Sequence, residues 1–178
     1  MSKQSVFCLA TSRTQAEFVV EQLHAENFSS QEVSVLFADR GLTRDLAPSR
    51  PAGTGGAPPG RPSGIIGGAL GWVAGIGAIA VPGAGPLIAG GPLAAALTGF
   101  AAGAGMAGGL LGLGLTESEA RRYEVKIKQG NLLISVHTER GGRAGRAKEI
   151  FVNAGAQEIG VMGEVASAKL EYALPGHR

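Results

Sequence analysis

The chain has one cysteine in 178 residues, so it holds no internal disulfide, and Cys8 in the apolar run SVFCLA reads as a core residue. Aromatic residues are scarce, at 5%, and the formal net charge is only +2. A nucleic-acid surface needs clustered Lys and Arg interleaved with stacking rings, so no nucleic-acid partner is expected. The first residues, MSKQSVFCLATSRTQ, lack a long apolar segment with a small-residue cleavage site and read instead as a strand entering a helix. His24, His137 and His177 lie far apart, and none has a partner at metal-ligand spacing. They read as a helix-surface residue, a strand-end residue and part of a polar tail. Carboxylates are scattered on helix surfaces, as with Glu117 and Glu119 at a helix N-terminus, and no acid and base pair emerges. No catalytic residue, cofactor or metal site is expected.

The largest absence is local. From residue 62 to residue 116, about 55 residues, the chain carries no charge at all. Most of its 30 glycines fall between Gly53 and Gly114, so the excess belongs to one region. Composition divides the chain into two ordinary flanks and an unusual centre.

Each flank follows one grammar. In the first, SVFCLA is a buried strand, and Ser12 with Gln15 fits a capping box that starts a helix with Ala16, Val19, Val20 and Leu23 on its apolar face. Asn27 to Ser30 stop that helix, and Val33, Val35 and Phe37 open a second strand. In the second flank, residues 131–139 form a strand. A helix follows with Ala144, Ala147, Ile150, Phe151 and Ala154 on one face, then a strand over residues 158–165. Gln31 to Val35 matches Gln157 to Val161 at the same place in each unit, a weak internal repeat. Two β-α-β halves predict an α+β fold, the ferredoxin-like split β-α-β sandwich, interrupted by whatever the centre forms.

The expected organisation is a first half over 1–42, a Pro/Gly/Arg-rich linker over 43–63, an apolar insert over 64–115, a basic helix with the second half over 116–166, and a tail over 167–178. Thr116-Glu117-Ser118-Glu119 is a second capping box, opening a helix that carries Arg121, Arg122, Lys126 and Lys128. Within the insert, Pro and Gly between Pro82 and Pro92 suggest a turn between helices over Gly64–Val81 and Leu93–Leu113. Gly67, Gly71 and Gly75 then form a smooth stripe on one helix, and Gly99 and Gly103, flanked by Ala95 and Ala107, form one on the other. Small residues at that spacing let helices pack closely, as in membrane glycine zippers. A membrane-inserted hairpin, a hairpin buried in a soluble homo-oligomer and an unstructured segment all remain open, the first being preferred. Basic residues on both sides of the insert fit a hairpin with both ends in the cytoplasm, hence an inner-membrane protein with a cytoplasmic domain; the alternative is a cytoplasmic protein.

The flanking pattern, together with PGAGPLIAGGPLAAAL from Pro82 to Leu97 and GLTESEARRYEVKIKQGNLLISV from Gly114 to Val136, resembles the bacterial general stress proteins of the heat-induced type. The resemblance covers most of the chain. It implies a non-enzymatic stress-response protein, with no catalytic or cofactor residues to carry over.

One further constellation stands out, the Gly-rich basic turn from Glu139 to Arg146. Free N–H groups at a helix start attract anions, so Arg140, Gly142, Arg143 and Arg146 form a candidate anion-binding set. It lacks the complete phosphate-loop patterns, and Gly-Gly also serves a plain turn. Two functions follow: a self-assembling stress protein that associates with membrane through its zipper, and, as the rival, a soluble oligomeric sensor module for a small anionic ligand.

Overall fold

The computed structural model describes residues 4–38, 69–73, 76–81, 85–100, 105–112, 115–139 and 142–162. The linker, the tail, Gly67, Gly75, Gly103 and Arg140 lie outside the described residues. In chain order the elements are β1 (Gln4–Ala10), α1 (Arg13–Ala25), β2 (Val33–Ala38), a 3-10 turn (Ala69–Trp72), β3 (Gly77–Val81), β4 (Gly85–Gly90), α2 (Pro92–Phe100), α3 (Gly105–Gly112), α4 (Glu117–Lys128), β5 (Leu132–Thr138), α5 (Arg143–Asn153) and β6 (Gln157–Met162). The fold is α+β. The described strands form one six-stranded sheet of order β3-β4-β2-β5-β1-β6, and every pairing in it is antiparallel.

Both flanks form as their sequences predict. The Ser12 side chain accepts from the Gln15 N–H and caps α1. The reciprocal arm of that box lands one residue earlier, with Gln15 Oε1 accepting from the Thr11 N–H at 2.8 Å. Gln15 also donates from Nε2 to the Ala154 carbonyl, which ties the start of α1 to the end of α5. The box at Thr116 closes in both directions with Glu119. The α5 face predicted from periodicity is buried at Ala144, Ala147, Ile150 and Phe151, with Ala154 packed at its margin.

The insert departs from prediction. Instead of a helix over Gly64–Val81, the described part holds a single 3-10 turn and then β3, which pairs with β4 in a hairpin that adds to the edge of β2. Ile79 and Val81 favour a pleated strand, and prolines at 82 and 86 remove donors that a continuing helix would need. The second expected helix exists as two shorter ones, α2 and α3. Of the five glycines in the expected stripes only two are described: Gly71 sits in the 3-10 turn and Gly99 near the end of α2. Close helix contact does occur, at a position outside the predicted set. A Cβ added at Gly109 of α3 would collide with the Leu97 side chain of α2 and sit 3.2 Å from its Cα. Among the described residues, no helix is long and apolar enough to cross a membrane.

What the insert does is visible in the alternation of the strands. Val6, Cys8, Ala10, Val33, Val35, Phe37, Ile134 and Val136 face one core, which α1, α5 and the 3-10 turn complete with Leu23, Phe151 and Leu70. Phe7, Leu9, Leu36 and Leu133 face the other way. That second face is covered by Leu93 and Leu97 of α2, Met106 and Leu110 of α3, and Ala120, Tyr123 and Ile127 of α4. Fully burying one such leucine contributes about 1.5–3 kcal/mol. The apolar insert thus supplies much of the third layer of an α/β/α arrangement.

Candidate functional site

Three chain segments meet at one end of the sheet: the start of β1, the α1–β2 corner leading into β2, and the end of β5 with the turn into α5. Antiparallel pairing brings them together, since Ser5 lies opposite His137 and Val33 opposite Val136. A cleft of about 780 Å³ opens there, within the size range of small-molecule sites. Its wall includes Ser5, Gln31, Glu32, His137, Glu139 and Arg143, with Pro92 at the start of α2 alongside.

Arg143 is the first residue of α5, after Gly142, whose φ of 90° suits glycine and which gives the helix no side-chain cap. Its guanidinium donates to the Asn27 carbonyl at 2.8 Å, lies 4.4 Å from the centre of the Phe28 ring and stands 4.0 Å from Glu32. Arg146, one turn on, points elsewhere: it pairs with Glu26 at 2.7 Å and Glu149 at 3.0 Å. Arg146 beside it holds the Glu26 carboxyl below the usual carboxylate range. Of the predicted anion set, Arg143 borders the cleft, Gly142 only precedes it in the chain as the N-cap of α5, Arg146 is engaged in its own ion pairs, and Arg140 lies outside the described residues. Among the described lining residues two carboxylates, Glu32 and Glu139, share the wall with the guanidinium of Arg143. The described lining is therefore of mixed charge and does not single out an anion.

His137 is the centre of the site and lies near the end of β5 as its sequence position predicts, but its contacts have no local sequence signal. Its Nδ1 is 2.8 Å from Ser5 Oγ, its Nε2 is 3.0 Å from Ser135 Oγ, and the Phe7 ring meets it edge to face. Ser5 and His137 are 132 residues apart in sequence, so no local spacing announces the pair. Burial lowers the His137 pKa below its ordinary value, leaving a neutral imidazole at pH 7. With the folded pKa beneath the unfolded value of about 6.5, the unfolded chain takes up the proton first as pH falls. Stability is complete above that value and declines as pH drops through and below it. Denaturant melts between about pH 8 and pH 5 check this, and His137→Gln is expected to flatten the slope; an unchanged slope would assign it to another group.

The remaining reactive groups are quiet. The buried Cys8 thiol is pushed far above the usual thiol range by desolvation, which leaves it inert as a nucleophile. The Tyr123 hydroxyl, raised to about 12 chiefly by burial, donates to the Glu158 carbonyl at 3.0 Å and fastens α4 to the start of β6. His24 stacks on Trp72 at 4.5 Å and so holds the 3-10 turn against α1. Among the described residues no cluster of His, Cys, Asp or Glu could hold a metal ion. No family model, curated protein or solved structure matches the chain.

Proposed function

We propose that this chain is a stress-response binding module that receives a small polar ligand of mixed charge in the cleft at the end of its sheet. The cleft of about 780 Å³, where three segments bring hydroxyls, amides, two carboxylates and a guanidinium together, carries this reading. The strand order β2-β5-β1-β6 within the larger sheet, with α1 and α5 on one side, supports a ferredoxin-like split β-α-β core. On this reading the insert is an intramolecular cover in place of a glycine zipper. The stress-response assignment rests on the sequence resemblance at Pro82–Leu97 and Gly114–Val136. Ligand binding is put ahead of membrane association because the insert's leucines at 93, 97 and 110 are buried against the protein's own sheet and helices.

A screen by thermal melting tests the binding. Zwitterionic amino acids and polyols are the expected stabilisers, and inorganic phosphate is expected to have little effect. At a hundredfold excess over Kd, stabilisation is about 2.7 kcal/mol, or roughly 5–11 °C for a chain of this size. Arg143→Ala and Glu139→Ala should each abolish the shift. Absence of any stabiliser, or a shift that survives both changes, would contradict the assignment.

Self-association is a second reading, favoured by one observation. Among the described strands β6 pairs on one side only, with β1, and its Val161 is 49% exposed. Light scattering of Val161→Lys against the unaltered chain tests it: a drop in mass supports the β6 edge, and equal masses exclude it.

A further inference from the structure

The hydroxyl of Ser5, the imidazole of His137 and the hydroxyl of Ser135 form an unbroken line on one sheet face, and the first two border the cleft. Pairing of β1 with β5 fixes Ser5 opposite His137, and Ser135 lies two residues before His137 on the same strand face. Ser135 is fully buried, whereas Ser5 is accessible from the cleft. A nucleophile within hydrogen-bond reach of a base, with that base oriented by a third group, is the arrangement that activates a hydroxyl for covalent chemistry. Burial keeps the imidazole in its neutral, proton-accepting form.

We propose that Ser5 is an acyl acceptor, with His137 as its general base and Ser135 as the positioning residue that fixes the ring. The substrate class is a small ester able to enter the cleft, so the inference rests on the reading that the cleft admits small molecules. In the productive tautomer Nε2–H donates to Ser135 Oγ, and Nδ1 accepts from the Ser5 hydroxyl. The Ser5 oxygen bonds to the ester carbonyl carbon as its proton moves to Nδ1, and the carbonyl π pair moves onto oxygen. Collapse of that adduct breaks the bond to the leaving alcohol, which carries away the proton from Nδ1. The products are a Ser5 ester and a free alcohol, and the exchange is redox-neutral.

The probe is p-nitrophenyl acetate with the full chain. The expected result is a burst of about one nitrophenolate per chain, with the acetyl group found by peptide mass spectrometry on Ser5. Ser5→Ala should remove the burst, and His137→Gln should slow it by a factor of about 100 or more. Ser135→Ala should keep the burst but move the pH at which its rate is half-maximal, which loss of packing alone would not do. In case the His137 variant fails to fold, Ser5→Cys supplies a second readout. Its thiol should react with iodoacetamide near pH 6 faster than a cysteine in a short peptide. No burst, acetylation confined to lysines, or a Ser5→Cys thiol of ordinary reactivity would each overturn the proposal. Ligand melting shifts of the unaltered chain alongside a silent ester assay would leave the binding reading standing and reject the acyl transfer alone.

Discussion

Gly91→Ala is expected to cost about 3–5 kcal/mol, combining backbone strain with an overpacked contact. Gly91 turns the chain from β4 into α2 with φ at 76°. A Cβ there would strike the Val33 carbonyl oxygen and come within 2.9 Å of Ser34 Cα. Both obstacles are backbone of the neighbouring strand β2 and cannot rotate away. The same corner carries the cap of α2, whose Leu93 N–H donates to the buried Ser34 hydroxyl at 3.1 Å. Pushing the chain off β2 would open that bond too. At 2–4 °C per kcal/mol the melting temperature should fall by roughly 6–20 °C. Gly145→Ala is the control of opposite sign: nothing lies within 4 Å of its added Cβ and it sits inside α5, so alanine should stabilise by up to about 1 kcal/mol. Equal effects from the two substitutions would mean that the β4–α2 corner is not packed on β2.

Leu97→Ala should be comparably damaging, at about 2–5 kcal/mol. Leu97 is fully buried in the core formed by the second sheet face with α2, α3 and α4. It also fills the space that Gly109 leaves on α3. That contact predicts a non-additive pair. Gly109→Ala alone should destabilise by about 1–3 kcal/mol, because its methyl group runs into the Leu97 side chain. In the Leu97→Ala background the same change should cost far less, since the obstructing leucine is gone and only the Cα at 3.2 Å remains close. Chemical denaturation of the four chains gives the coupling. Additive losses would show that α2 and α3 do not meet at these residues.

Local signals were the readable part of the sequence. Caps at Ser12 and Thr116, the helical face ending at Phe151 and the strand runs around Phe7, Val35 and Ile134 are written in neighbouring residues, and they appear where expected. The second layer of helices is also implied by the strands. Runs such as VFCLA and VSVLF are apolar at both odd and even positions, the mark of a sheet covered on both faces. Helices α1 and α5 cover one of those faces, and Phe7, Leu9, Leu36 and Leu133 on the other take their partners from the insert and α4. Over residues 77–81 a strand stands where a helix was expected, because in a segment so rich in glycine and alanine small residues fall at every fourth position without marking a helix. What separates strand from helix there is tertiary: β4 finds an open edge on β2. The cleft was legible only in its α5 turn. Its central pair, Ser5 with His137, exists through strand register, which no motif encodes.

The central claim is that the Gly/Ala-rich insert completes the protein's own fold, with β4 hydrogen-bonded to β2 and α2 packed on the second sheet face. Amide hydrogen exchange read by mass spectrometry in detergent-free buffer tests this most directly. The account predicts that amides of Leu87 to Leu97 that are bonded within the sheet and α2 are protected to nearly the same degree as those of β1 and β5, at any protein concentration, because they open only with the whole domain. Exchange of that segment at unprotected rates, or protection that arises only with lipid, detergent or self-association, would contradict it.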